Sequence, residues 1–348
     1  MIEKNENRII NAENGNDPDE IRIRPETLND FIGQRHLKEK LQIFIKAARN
    51  RKEALDHLLF YGPPGLGKTT LAGIIANEMK GQLRVTTGPA LERAGDLAAI
   101  LSNLEENDVL FIDEIHRLPS SVEEILYSGM EDYNLHIVVG KGPLANNICI
   151  PLPSFTLVGA TTRLGLLTSP LRARFGIVEQ LSLYPPETLA DIIKRGAGVL
   201  GLKIEDRASL EIAKRSRGTP RVALRLLRRV RDVAEVREKK VIDHPITVSA
   251  LDMLGLDSNG LDDGDRHILK VIIELFGGGP VGLSTIAAAL NEEQQTLEDI
   301  YEPFLIQRGF IERTPRGRKA TAKSFEYLGV KVPQELQFSF DLNEEEPC

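Results

Sequence analysis

The sequence predicts an α/β protein, with a parallel sheet covered by helices, then a smaller all-helical domain and a terminal winged helix. Three observations predict it. Short apolar runs alternate with helical patterns from HLLFY (57–61) to SFTLVGATT (154–162), and strands separated by helices belong to a sheet buried on both faces. A glycine-rich turn, GPPGLGKT (62–69), sits between the first of those runs and a helix. From Pro185 to about Gly255 the strand signal stops and only helical periodicity remains.

In chain order, RIRPETLNDFIGQ leads into an amphipathic helix at about 36–52. Then come the strand 57–61, a helix from Lys68 to about Met79, a strand near 82–87, a helix near 95–105 and the strand VLFID (109–113). The helix SSVEEILYSGMED precedes NLHIVVGKGPLANNICIPL, two alternating apolar runs around a Gly-Lys-Gly-Pro turn. That pattern predicts a β-hairpin at 134–152 inserted into the α/β domain. The expected division is a disordered polar tail at 1–20, a large domain at 21–184, a helical domain at 185–255 and a third domain at 258–348. The stretch LDSNGLDDGD (256–265) is polar and reads as a link between the last two.

Composition narrows the function. A chain of 348 residues with 41% apolar content has material for two or three cored domains. A net charge of −7 argues against a surface that is basic all over, so any contact with DNA must be local. The two cysteines, Cys149 and Cys348, form no CxxC pair, which argues against a disulfide framework or zinc site. The first twenty residues lack the cationic start and apolar core of a signal peptide, and no run of about 18 apolar residues follows. A cytoplasmic location is the expectation.

GPPGLGKT fits G-x-x-x-x-G-K-[ST], directly after an apolar strand and opening a helix. Gly62, Gly65 and Gly67 let backbone N–H groups wrap phosphates, Lys68 reaches the β/γ oxygens, and the Thr69 hydroxyl can ligate Mg²⁺, with Thr70 beside it. VLFIDE supplies the second half: Asp113 would hold Mg²⁺ and Glu114 would polarise the attacking water. No NKxD-like segment for reading guanine is present, so ATP is the expected nucleotide.

GPPGLGKTT, FIDEIHRL, GATTR, TSPLRARFG and GTPR, in this order and spacing, resemble the Walker A, Walker B, sensor 1, arginine-finger and sensor 2 elements of AAA+ ATPases. The resemblance implies that Thr162, or Thr161 beside it, senses the γ-phosphate. It also implies that Arg174, in preference to Arg172, enters a neighbouring subunit's site and that Arg221 acts from the helical domain. A finger supplied in trans requires a ring or filament of subunits. From Ile23 to about Val332 the chain is similar to the RuvB family, motors of Holliday junction branch migration in recombination and repair. That likeness implies a hexameric ring on duplex DNA with RuvA and RuvC as partners, and a nucleotide pocket including Ile23, Arg24, Glu131, Asp132, Tyr133, Tyr184 and Arg221.

Apolar residues near the hairpin turn, Leu144, Ile148 and Ile150, would be exposed unless a partner covers them. By resemblance that partner is RuvA. The third domain reads as three helices, a strand, a basic turn and a second strand, a winged helix. Arg313, Arg316, Arg318 and Lys319 fall within seven residues, suited to a phosphate backbone. By resemblance Arg313 and Arg318 contact DNA. The basic segment near 220–240 carries Val222, Leu226, Val230 and Val233 at helical spacing, so its arginines are expected to form an outer face and subunit contacts and not to meet DNA. A clamp loader or replication initiator shares the ATPase core. The terminal wing argues against the first and the hairpin against the second.

Overall fold

A computed structural model describes residues 22–139 and 146–333 of the chain. The expected tail at 1–20, Leu144 and Cys348 lie outside the described residues. One compact unit holds the chain up to Leu202 together with Thr219–Leu224, and a second holds Lys203–Gly218 and the chain from Arg225 onward.

The first unit opens with helix α1 (Arg35–Arg51), whose Leu37, Leu41, Ile45 and Ala48 recur at helical spacing and are the residues it buries. Strand β1 (Leu58–Tyr61) and helix α2 (Lys68–Met79) flank the glycine-rich turn. Strand β2 (Leu83–Thr87), helix α3 (Ala94–Leu101), strand β3 (Val109–Asp113) and helix α4 (Ser120–Glu131) follow. Strands β4 (Asn134–Val139) and β5 (Asn146–Pro151) pair antiparallel as a separate hairpin. Strand β6 (Thr156–Thr161), helix α5 (Ser169–Ala173) and strand β7 (Ile177–Gln180) complete the sheet, and helix α6 (Pro186–Val199) follows.

The five-stranded sheet is parallel throughout, in the order β2-β3-β6-β1-β7. All six residues of β6 are buried, as expected where helices cover both faces. Because every strand runs the same way, the ends of β1, β3 and β6 open at one edge, with Tyr61 beside Thr161 in register. Ligands of open α/β sheets bind at that carboxyl edge. Strand β7 is not anticipated from the sequence: IVEQ is short, and at the sheet margin only part of it is buried.

The second unit contains helix α7 (Asp206–Lys214), most of helix α8 (Pro220–Val236) and helix α9 (His244–Met253). On α8 the fully buried positions are Ala223, Leu226, Leu227, Val230 and Ala234, with Val222 and Val233 at the margin. Helices α10 (Asp263–Lys270) and α11 (Leu283–Leu290) come next, then α12 (Glu302–Gln307). Strands β8 (Ile311–Thr314) and β9 (Gly317–Ala320) form an antiparallel ribbon, followed by α13 (Ala322–Tyr327). This is a winged helix with one helix more than the sequence predicts.

The 256–265 stretch is extensively bonded. Leu261 and Asp265 are wholly buried, Asp257 Oδ1 accepts the N–H groups of Asn259 and Leu261, and Arg217 pairs with both Asp262 and Asp265. Its polar residues bond to one another and to the helices beside them, so polarity there marks a network and not solvation. No helix of the described residues is long and apolar enough to cross a membrane.

Candidate nucleotide and nucleic-acid sites

A cavity of about 260 Å³ lies in the first unit, at the carboxyl edge of its sheet. Its floor is the turn between β1 and α2. Gly65 (φ +80°) and Gly67 (φ +99°) adopt the left-handed region that glycine alone enters at no cost. A Cβ on Gly65 would meet Arg221 Cβ at 3.0 Å, and the Arg221 N–H donates to Gly65 O at 3.3 Å. The close approach therefore seats the start of α8 on the loop and brings Arg221 into the cavity.

Lys68 is 7% exposed, and its Nζ donates to Gly62 O at 2.8 Å and Pro63 O at 2.9 Å. Burial pushes its pKa down to about 8; Asp113 opposes that shift and Arg221 adds to it. Thr69, Thr70, Asp113, Glu114 and Thr162 line the same cavity. Asp113 accepts the Glu114 N–H at 3.0 Å, and Glu114 has φ +48° and takes Arg117 Nη1 at 2.9 Å. The two neighbouring threonines differ in their surroundings. Thr161 is buried, its hydroxyl engaged by His116 Nδ1 and the Arg163 N–H, whereas Thr162 is exposed to the cavity.

Ile23, Arg24 and Tyr184 form another wall of the cavity. The Tyr184 hydroxyl donates to Leu66 O at 3.2 Å, and its ring occupies the place where a Cβ on Gly33 would stand. Phe31, Ile192, Arg195 and Leu224 also line this wall and escape sequence reasoning. Arg195 Nη1 donates to Ile23 O at 2.7 Å. Its place on an amphipathic helix gives no motif; only the fold brings it 172 residues back to Ile23.

Gly62 does not line the cavity: its φ of +137° and the nearby Leu181 O make it the turn that starts the loop. Glu131, Asp132 and Tyr133 are likewise absent from the chain's own pocket. They lie at the end of α4, where Glu131 pairs with Arg174 Nη2 at 3.0 Å and Tyr133 packs edge-on against Phe155.

A buried lysine, oxygen ligands and apolar flanks in one cleft form a nucleotide site in geometry as well as in motif. Comparison with known proteins agrees over most of the chain. Residues 23–181 match the Holliday junction DNA helicase RuvB P-loop domain, 184–257 the RuvB AAA lid domain and 258–329 the RuvB C-terminal winged helix domain. The chain belongs to the RuvB family.

The Holliday junction branch migration complex subunit RuvB of Ligilactobacillus salivarius (strain UCC118) is 57% identical over 332 residues, 95% of this chain and 99% of that one. Among solved structures, the Thermotoga maritima RuvB Holliday junction branch migration motor superposes with a TM-score of 0.82 at 52% identity, covering 90% of this chain and 100% of that one. A proline-to-glycine variant of the same protein gives a TM-score of 0.83 at 52% identity, covering 89% and 100%. As a RuvB-family AAA+ protein the chain is a nucleotide-binding ATPase of the helicase type.

On the RuvB-type wing, Arg313 and Arg318 are register partners across the β8–β9 ribbon, and both bond to Glu302. Arg316 is exposed at the turn, and Lys319 pairs with Glu312 at 3.8 Å. On the hairpin, Ile148 is 45% exposed. Ile150 is not: it is half-buried against the core of the first unit, because its register partner Leu135 is fully buried at the hairpin's base.

Proposed function

We propose that the chain is the ATP-driven motor subunit of Holliday junction branch migration. It works in the cytoplasm as a homohexameric ring on duplex DNA, placed on junction arms by RuvA and acting beside RuvC. Residues 21–184 form its ATPase domain, 185–255 its lid and 258–348 its DNA-binding head.

The observation that carries this reading is the split between two groups of residues in one unit. Lys68, Thr69, Asp113, Glu114, Thr162 and Arg221 line one cavity. Arg174, from the TSPLRARFG element, does not; Glu131, the face of the Tyr127 ring and Pro170 O hold it. Its role in trans, completing a neighbour's site, makes the ring a requirement of the chemistry.

Lys68 and Arg221 neutralise phosphate charge, Glu114 polarises the attacking water and Thr162 senses the γ-phosphate. The Thr69 hydroxyl and Asp113 carboxylate are hard oxygen donors suited to Mg²⁺. Among the described residues there is no group of three or more His, Cys, Asp or Glu side chains that could hold a metal ion. Held at Thr69 and Asp113, Mg²⁺ would supply positive charge to neutralise the phosphates of a bound nucleotide. The hairpin, with Ile148 outward, is the RuvA contact. The wing arginines meet phosphates and not base edges, so translocation is independent of sequence.

The test is strand exchange on a synthetic four-way junction with ATP and RuvA. The parent protein converts the junction to duplex products and Lys68→Ala does not. A parent that hydrolyses ATP on the junction yet yields no product is a loader and not a motor.

A further inference from the structure

Glu302 is 3% exposed, and both of its carboxylate oxygens are used. Oε1 accepts from Arg313, with Nε at 2.8 Å and Nη2 at 2.5 Å, while Oε2 accepts from Arg318 Nη2 at 2.8 Å. A carboxylate this deep is tolerated only with full pairing. The two arginines sit opposite each other on β8 and β9, so without it two cations would stand side by side and repel. Their exposures differ: the Arg313 side chain is 56% exposed and the Arg318 side chain 16%. Held side-on through Nε and Nη2, Arg313 keeps the other donors of its guanidinium for an outside acceptor.

We propose that Glu302 is a positioning residue for DNA, fixing Arg313 and Arg318 as an oriented pair that meets the phosphate backbone already in place. This rests on the reading of the wing as a DNA contact. The benefit is conformational. Two long side chains that would otherwise be ordered at binding are ordered beforehand. Net charge argues the other way, since removing a carboxylate beside a DNA-binding ribbon should strengthen attraction to phosphate. The two effects therefore predict opposite signs for one substitution.

The experiment measures affinity of the full-length protein for a fluorescent duplex of mixed sequence across a salt series, with thermal melting as a check of folding. Glu302→Gln adds a net positive charge to the wing, yet is expected to weaken binding about tenfold and to flatten the log–log salt slope by about one. Loss of folded protein alone would lower the active fraction and leave that slope unchanged. Arg313→Lys keeps the charge count but cannot pair side-on with the carboxylate, and is expected to bind almost as poorly as Arg313→Ala. Should Glu302→Gln fail to fold, Arg313→Lys decides, because its side chain is largely in solvent. Parental or tighter binding by folded Glu302→Gln, or parental binding by Arg313→Lys, overturns the role of Glu302. An unchanged slope in Arg313→Ala/Arg316→Ala instead overturns the wing contact on which that role rests.

Discussion

Glu131 and Arg174 form a 3.0 Å ion pair, with the guanidinium carbon 4.3 Å from the centre of the Tyr127 ring. The pair lies outside the cavity lined by Lys68 and Asp113. Arg174→Ala is expected to bind ATP normally and to lose hydrolysis by about a thousandfold or more, as trans arginines do. Glu131→Gln, which removes only a half-exposed partner, should cost less than tenfold. Steady-state ATPase with a separate binding titration checks both. Mixing Arg174→Ala with Lys68→Ala restores activity at mixed interfaces if the arginine acts in trans.

The lowered pKa of Lys68 makes nucleotide binding dependent on pH. Phosphates need the ammonium, and with a pKa of about 8 much of it is already lost at pH 9. ATP affinity should therefore fall by about tenfold per unit above pH 8, with a proton taken up on binding. Titration calorimetry at pH 8 in buffers of different ionisation enthalpy reads that proton directly. A buffer-independent heat would mean that Lys68 is fully charged beforehand.

Ile148 and Ile150 separate partner binding from folding. Ile148→Asp puts a charge on an exposed position, so it should abolish capture by RuvA and leave the melting temperature unchanged. Ile150→Asp buries a charge against the core, so it should cost about 1–3 kcal/mol of stability. Pull-down and thermal melting together distinguish them. Equal behaviour of the two would remove the distinction drawn from the register with Leu135.

The parts of the site legible in the sequence are those in which chemistry dictates spacing. A phosphate cradle needs glycine, lysine and a hydroxyl within eight positions, and a strand must end in Asp113; the fold then has little choice about where they meet. Arg195 and Phe31 were illegible because they act by closing space, and closure depends on which residues return from far along the chain. Ile150 misled because alternation gives the side of a strand but not the depth of its neighbour. The internal bonding of the 256–265 stretch was illegible because a polar, glycine-containing run looks the same whether its partners are water or Arg217.

His57 predicts an acid-side loss of stability. Its Nδ1 accepts the Leu157 N–H at 2.9 Å, so Nε2 carries the proton and donates to Met130 O at 3.1 Å. Burial holds its pKa below the usual histidine value. The unfolded chain takes up a proton near pH 6.5 while the folded one does not, so stability falls as pH drops below about 6.5 until the folded pKa is reached. His57→Gln should be less stable at pH 7 but show a flatter decline between pH 7 and 5.5, read from urea midpoints. A decline as steep as the parent's would place the proton elsewhere.

The network of Arg217, Asp257, Asp262 and Asp265 ties neighbouring parts of the second unit together. Asp257 also receives the Tyr327 hydroxyl through Oδ2, so the same short stretch is bonded to the last helix of the winged domain. A tether of this kind has no slack to take up. Within the second unit, local opening of either the segment after α7 or of α13 must therefore break bonds to the same short stretch.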